Sequence, residues 1–138
     1  MEPFRTNIQV RFNDTDALGH LNNTSYALYA EQGRVAFIDS FRGEDIFPEG
    51  VFLILAHLEL DFLQQVRFRD TVHVLTRVVK LGRTSMTVAQ DIYKNDDLAA
   101  RATSVVVVFD YDAQKPTAIP ERARALLEPY LVTDLITE

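Results

Sequence analysis

A change of hydrophobic period part-way along the chain sets the tightest limit on its fold. Tyr26, Tyr29, Ala30, Gly33, Phe37 and Phe41 recur at i, i+3, i+4, i+7, i+11 and i+15, which places them on one stripe of a helix. Asn22, Asn23 and Thr24 are candidate N-caps, and Gly43 stands just past the expected end. About eighteen helical residues would span ~27 Å, the depth of a small domain. After Pro48-Glu49-Gly50 the repeat shortens to two: Leu58, Leu60 and Phe62 alternate with His57, Glu59 and Asp61.

The period of two then persists. Val72, Val74, Thr76 and Val78 mark a further strand, Leu81-Gly82-Arg83 a hairpin turn, and Ser85 to Tyr93 the strand that follows. Lys94-Asn95-Asp96-Asp97 reads as a second turn and Ala99 to Asp110 as the last long strand. Before the helix, Asn7 to Phe12 alternates through Ile8, Val10 and Phe12 and reads as a first strand. Pro120 suits the first turn of a closing helix through Leu127. The sum is an α+β domain with one long helix and an antiparallel sheet of about five strands. Residues 1–138 fit a single domain.

One amphipathic helix covers one face of a sheet. Val105 to Phe109 is apolar at every position, so its outer side needs a cover as well. A chain this short has little left to provide one, and self-association into a homodimer or homotetramer is expected.

Composition removes several classes of function. With no cysteine there is no disulfide, thiolate metal site or cysteine nucleophile. No apolar run approaches the ~20 residues of a membrane span or the core of a signal peptide, so no membrane partner and a cytoplasmic location are expected. A net charge of −6 argues against nucleic acid. Between residues 67 and 83, however, Arg67, Arg69, Arg77, Lys80 and Arg83 face one acid, Asp70. Such an island could hold a small anion, and solvated strand faces would give the same pattern.

The segment from Arg11 to Tyr26 carries the chemistry. Asp14 and Asp16 lie in a loop just before the helix, Gly19 permits a tight bend, and His20, Asn22 and Asn23 reach the helix N-terminus. Free N–H groups and the helix dipole favour negative charge there. A carboxylate beside donors aimed at a developing oxyanion is what thioester hydrolysis requires. By spacing alone the same residues also describe an elaborate helix cap. His57 and His73 sit on expected strands as ordinary residues. Asp14, Asp16 and His20 lack the further ligands that would complete a metal site, so neither metal nor cofactor is expected. No Gly-x-Ser-x-Gly elbow or phosphate-cradling glycine loop occurs.

The run Arg-Phe-x-Asp-x-Asp-x-x-Gly-His-x-Asn-Asn-x-x-Tyr, followed by Tyr29, Glu31 and Arg34, closely resembles the 4-hydroxybenzoyl-CoA thioesterase family of hotdog proteins. The likeness continues through Leu58 to Leu63, Val66 to Asp70, Gly82 to Ser85, and Lys115-Pro116 with Ile119-Pro120, spanning roughly residues 8 to 127. It implies a hotdog fold and an acyl-CoA thioesterase releasing a carboxylic acid and coenzyme A. The family's catalytic carboxylate matches Asp16, as nucleophile or as base for water. The backbone N–H that holds the thioester carbonyl matches Asn23. Asp14, His20, Asn22 and Tyr26 fall to substrate binding or loop support, and Arg67, Arg69 and Arg83 to coenzyme A phosphates. Arg69 stands in a turn where relatives often have Gly. Family dimers join edge strands into one sheet with the site at the subunit junction. A non-catalytic acyl-binding hotdog protein and a hotdog hydratase or dehydratase are the rival readings.

Overall fold

The computed structural model describes residues 1–41 and 46–132. In chain order it contains β1 (Phe4–Ile8), a 3-10 turn (Phe12–Asp14), α1 (Asn23–Asp39), β2 (Val51–Phe62), β3 (Val72–Leu81), β4 (Ser85–Lys94), β5 (Asp97–Asp110), β6 (Lys115–Pro116), α2 (Glu121–Leu127) and a 3-10 turn (Glu128–Tyr130). All strand pairs are antiparallel, in the order β1-β3-β4-β5-β2. The sixth strand, β6, pairs with the end of β5 and raises the total above the five expected.

The first strand departs from its sequence reading. It runs from Phe4 to Ile8, and Phe12 belongs to the following 3-10 turn. Alternation at Ile8 and Val10 is real, since both are buried, but pairing with β3 ends at Ile8↔Val72. Beyond it the Asp14 N–H donates to the Arg11 carbonyl (2.9 Å) and turns the chain, leaving Phe12 exposed. A period-two pattern reports which side chains are covered, not which backbone groups are paired. Gly43 lies outside the described residues.

Helix α1 has seventeen residues and lies over β1, β3 and β4, with slighter contact to β5. Tyr26, Tyr29, Ala30, Gly33 and Phe37 are its buried stripe. The core divides in two. Tyr26 and Tyr29 pack with Val66, Val72, Val74 and Ile92; Phe37 packs with Val78, Met86, Val88, Val106 and Val108. Between them runs a buried polar waist of Thr76, Gln90 and Ser104. There the Gln90 amide donates to the Ala30 carbonyl (2.9 Å) and to the Thr76 hydroxyl (3.1 Å), and the Arg34 guanidinium donates to the Ser104 hydroxyl (3.1 Å).

Strand β2, twelve residues long, is an edge of the sheet. It is poorly covered: Phe52, Leu55 and Phe62 along it, and Leu63 after it, are exposed. Long apolar edges are templates for pairing with another strand.

Candidate functional site

The loop between β1 and α1 is fixed at both ends by backbone hydrogen bonds. The Asp16 N–H donates to the His20 carbonyl (2.7 Å) and the Gly19 N–H to the Asp16 carbonyl (3.0 Å), closing a tight bend. Gly19 has φ +82°, a left-handed conformation that a side chain would resist. The Leu21 N–H donates to the Val66 carbonyl (2.6 Å), His20 and Arg67 form an isolated bridge, and the Tyr26 hydroxyl donates to the Gln64 carbonyl (3.2 Å). The loop is thereby fastened to the segment between β2 and β3.

Asp14 is the internal brace. Its buried carboxylate accepts from the Arg11 N–H (3.0 Å) and the Tyr29 hydroxyl (2.6 Å), while the Arg11 guanidinium stands 3.6 Å away. Its main-chain carbonyl accepts from the Asn22 N–H and the Ser25 hydroxyl, both at 2.9 Å. Burial by itself raises the Asp14 pKa; the Tyr29 and Arg11 donors outweigh it, and the group sits below the ordinary carboxylate value. The Tyr29 hydroxyl is pushed up, first by burial and then by the carboxylate it serves. Sequence reasoning gave Tyr29 no such part. A core tyrosine must place its hydroxyl somewhere, and that was the available signal; the partner was not legible.

Asp16 is placed differently. It is exposed, and its Oδ1 accepts the Leu18 N–H (2.9 Å) and the His20 N–H (3.1 Å). The His20 and then the Leu18 N–H hold its carboxyl below the usual range, so it is ionised at neutral pH. Among the described residues Oδ2 accepts no hydrogen bond.

At the start of α1 the Asn22 side chain caps the helix, accepting from the Thr24 N–H (3.0 Å) and hydroxyl (3.0 Å). The Ser25 N–H donates to the Asn22 carbonyl (2.8 Å). Among the described residues the Asn23 N–H has no acceptor, and it remains the open donor of the first turn.

The basic residues separate. Arg67 and Arg69 are exposed in a turn closed by the Asp70 N–H donating to the Arg67 carbonyl (3.0 Å), with the Asp70 carboxylate accepting from the Arg67 N–H (2.8 Å). Among the described residues only Asn95 and Gln114 are non-glycine residues with positive φ, so Arg69 needs no glycine-like backbone. Arg83 is in the β3–β4 turn, a ten-residue strand away, or about 30 Å. Within one chain it cannot share a phosphate with Arg67. Arg77 is committed to Asp91 (2.6 Å) on the sheet. His57 lies 2.8 Å from Glu59 on exposed β2, and His73 stacks on Tyr93. Among the described residues no three acidic or histidine side chains converge as a metal site.

A cavity of about 620 Å³ opens between the second half of α1 and the sheet, lined by apolar residues such as Ile38, Phe52, Leu55 and Met86 together with Glu31 and Arg34. No sequence pattern announced it. It lies along the second half of α1, its nearest helical lining residue Glu31 about 12 Å from Asn23 by helix rise.

Residues 10–127 match the model of the thioesterase-like superfamily. The chain belongs to that family. Among solved structures, it is similar to a predicted thioesterase from Bacillus stearothermophilus, with a TM-score of 0.86 and 30% identity over 96% of this chain and 98% of that one. A thioesterase from Thermus thermophilus, complexed with coenzyme A and Zn, superposes with a TM-score of 0.80 at 29% identity, over 94% of each chain. The acyl-CoA thioester hydrolase YbgC of Escherichia coli O6:H1 is 26% identical over 121 residues, 86% of this chain and 90% of that protein. Among the described residues no helix is long and apolar enough to cross a membrane.

Proposed function

We propose that the protein is an acyl-CoA thioester hydrolase of hotdog architecture, with the sheet wrapped around α1 and Asp16 as the reacting carboxylate. The observation that carries this reading is the contrast between the two aspartates: Asp14 is buried, with Oδ2 held by the Arg11 N–H and the Tyr29 hydroxyl and Oδ1 facing the Arg11 guanidinium, whereas Asp16 is exposed and has Oδ2 open. The thioester oxygen would accept from the Asn23 N–H as negative charge develops on it. Oδ2 then attacks the carbonyl carbon and expels coenzyme A thiolate, leaving an acyl-aspartyl anhydride for water to cleave. As a base it would instead take a proton from the attacking water. His20, Asn22 and Tyr26 hold the loop and helix start in this geometry. The coenzyme A complex of the Thermus relative and the acyl-CoA hydrolase activity named for YbgC support the substrate class.

Asp16 is exposed in the single chain, and the exposed edge of β2 supplies the means to enclose it. Two copies pairing β2 antiparallel about a two-fold axis would bring the Phe52–Leu55 end of one strand beside the Phe62 end of the other. Phe62 meets Tyr26 edge to face at 5.1 Å, close to the start of α1. The cavity of one subunit would then adjoin the Asp16 loop of its neighbour and receive the acyl group. Arg83 would reach a ligand at that loop only from a neighbouring copy.

Asp16→Asn tests the chemistry. Hydrolysis of acyl-CoA esters, followed by thiol release, is expected to fall at least ~100-fold with the circular dichroism and melting temperature retained. Turnover equal to that of the unaltered protein would end the assignment.

A further inference from the structure

Two exposed aromatic rings beside the Asp16 loop have no part in the chemistry above. Phe12 is 75% exposed and Phe68 38% exposed, yet they meet edge to face with centroids 6.0 Å apart. The Arg69 guanidinium lies over the Phe68 ring, 5.6 Å from its centroid. Neither ring is on a loose segment. Phe12 opens the 3-10 turn that Asp14 anchors, and Phe68 lies in the turn that Asp70 closes from both its main chain and its carboxylate. The Asn95 amide donates to the same carboxylate (3.3 Å) and steadies that turn from the β4–β5 side.

The surroundings are basic on a protein of net charge −6. Arg11, Arg67 and Arg69 all expose their side chains at this rim, and Arg67 is bridged to His20, four residues from Asp16. A fixed aromatic face with guanidinium groups around it suits a ligand that joins a flat base to phosphates. An acidic protein surface would be met by spread cations and gains nothing from a solvent-facing phenyl pair.

We propose that Phe12, Phe68 and Arg69, with Arg67, dock the adenine nucleotide of coenzyme A, so that the substrate is a coenzyme A thioester and not a thioester on an acyl carrier protein. The inference rests on the thioesterase reading for its substrate, but the docking site is separable from catalysis. Adenine stacks on the open side of the Phe12–Phe68 pair, and Arg67 and Arg69 take the phosphates.

The test compares one acyl group on three carriers: coenzyme A, N-acetylcysteamine, which lacks the nucleotide, and holo acyl carrier protein. In Phe12→Ala/Phe68→Ala the ratio of kcat/KM for the coenzyme A ester to that for the N-acetylcysteamine ester is expected to fall roughly tenfold, through KM. Arg69→Gln, which cannot disturb the core, should move the ratio the same way. Calorimetry with 3′,5′-ADP, a probe needing no turnover, should show binding to the unaltered protein that the double variant loses. If no ester is cleaved but 3′,5′-ADP binds in this way, the thioesterase reading fails and the docking site stands. An unchanged ratio, an absence of 3′,5′-ADP binding, or faster cleavage of the carrier-protein ester than of the coenzyme A ester would overturn the proposal. A change of oligomeric state in the double variant by light scattering would also overturn it, by making the rings a subunit contact.

Discussion

Asp14 and Asp16 are two residues apart, yet their surroundings give them opposite duties, and each makes a pH prediction. Asp14 has a folded pKa below its unfolded value near 3.9. Its contribution to stability is therefore present above that unfolded value and is lost as pH falls through the folded one. Tyr29→Phe removes a 2.6 Å donor from this buried carboxylate. It should cost about 2 kcal/mol in urea unfolding at neutral pH, by the usual worth of a hydrogen bond to a charged group. It should also bring the acid-induced loss of structure to higher pH, since the depression of the Asp14 pKa shrinks. Asp16 is likewise held low, by backbone donors. If its ionised form reacts, kcat/KM stays level from neutrality downward and declines only below about pH 4. An acid limb centred near pH 6 would implicate another group.

Among the elements, α1 approaches the sheet closely at Gly33. A Cβ on Gly33 would come within 2.9 Å of the Gln90 amide nitrogen and 3.0 Å of Val74. The amide cannot swing aside freely, because it is buried and donates to Ala30 and Thr76. Gly33→Ala gains ~1 kcal/mol in helix propensity but incurs overpacking of ~1–3 kcal/mol. The expected balance is a small net loss of stability, measurable as a lower melting temperature. The helical stripe that buries Gly33 was legible from side-chain spacing alone. The need for glycine there was not, because it comes from a β4 side chain nearly sixty residues away in sequence.

At the scale of the whole molecule, β2 is the exposed feature that most needs an explanation. β1, the opposite edge, is five residues long; β2 is twelve and apolar. Ala56→Lys places a charge on that edge without entering the cavity, since Ala56 is exposed and is not among the residues that line it. Light scattering should then report a single chain where the unaltered protein reports a multiple. Thiol release should drop with it if the cavity serves the neighbouring Asp16 loop. Full activity from a monomer would leave each copy self-sufficient and refute the shared site.

The sequence by itself determined the order and kind of the main elements, the turns at Gly82 and Asn95, and a capped start of α1 among Asn22, Asn23 and Thr24, of which the structure uses Asn22. Each follows from local chemistry: the spacing of apolar residues, side chains that cap or bend the backbone, and φ preferences. The tertiary structure alone decided that β1 stops at Ile8, that Tyr29 serves Asp14, that Arg83 stands a full strand from Arg67, and that Phe12 meets Phe68. It also decided that the cavity opens along the second half of the helix, away from the Asp16 loop. These depend on strand register and on how one helix lies across a twisted sheet, which are relations between distant segments that local spacing does not encode.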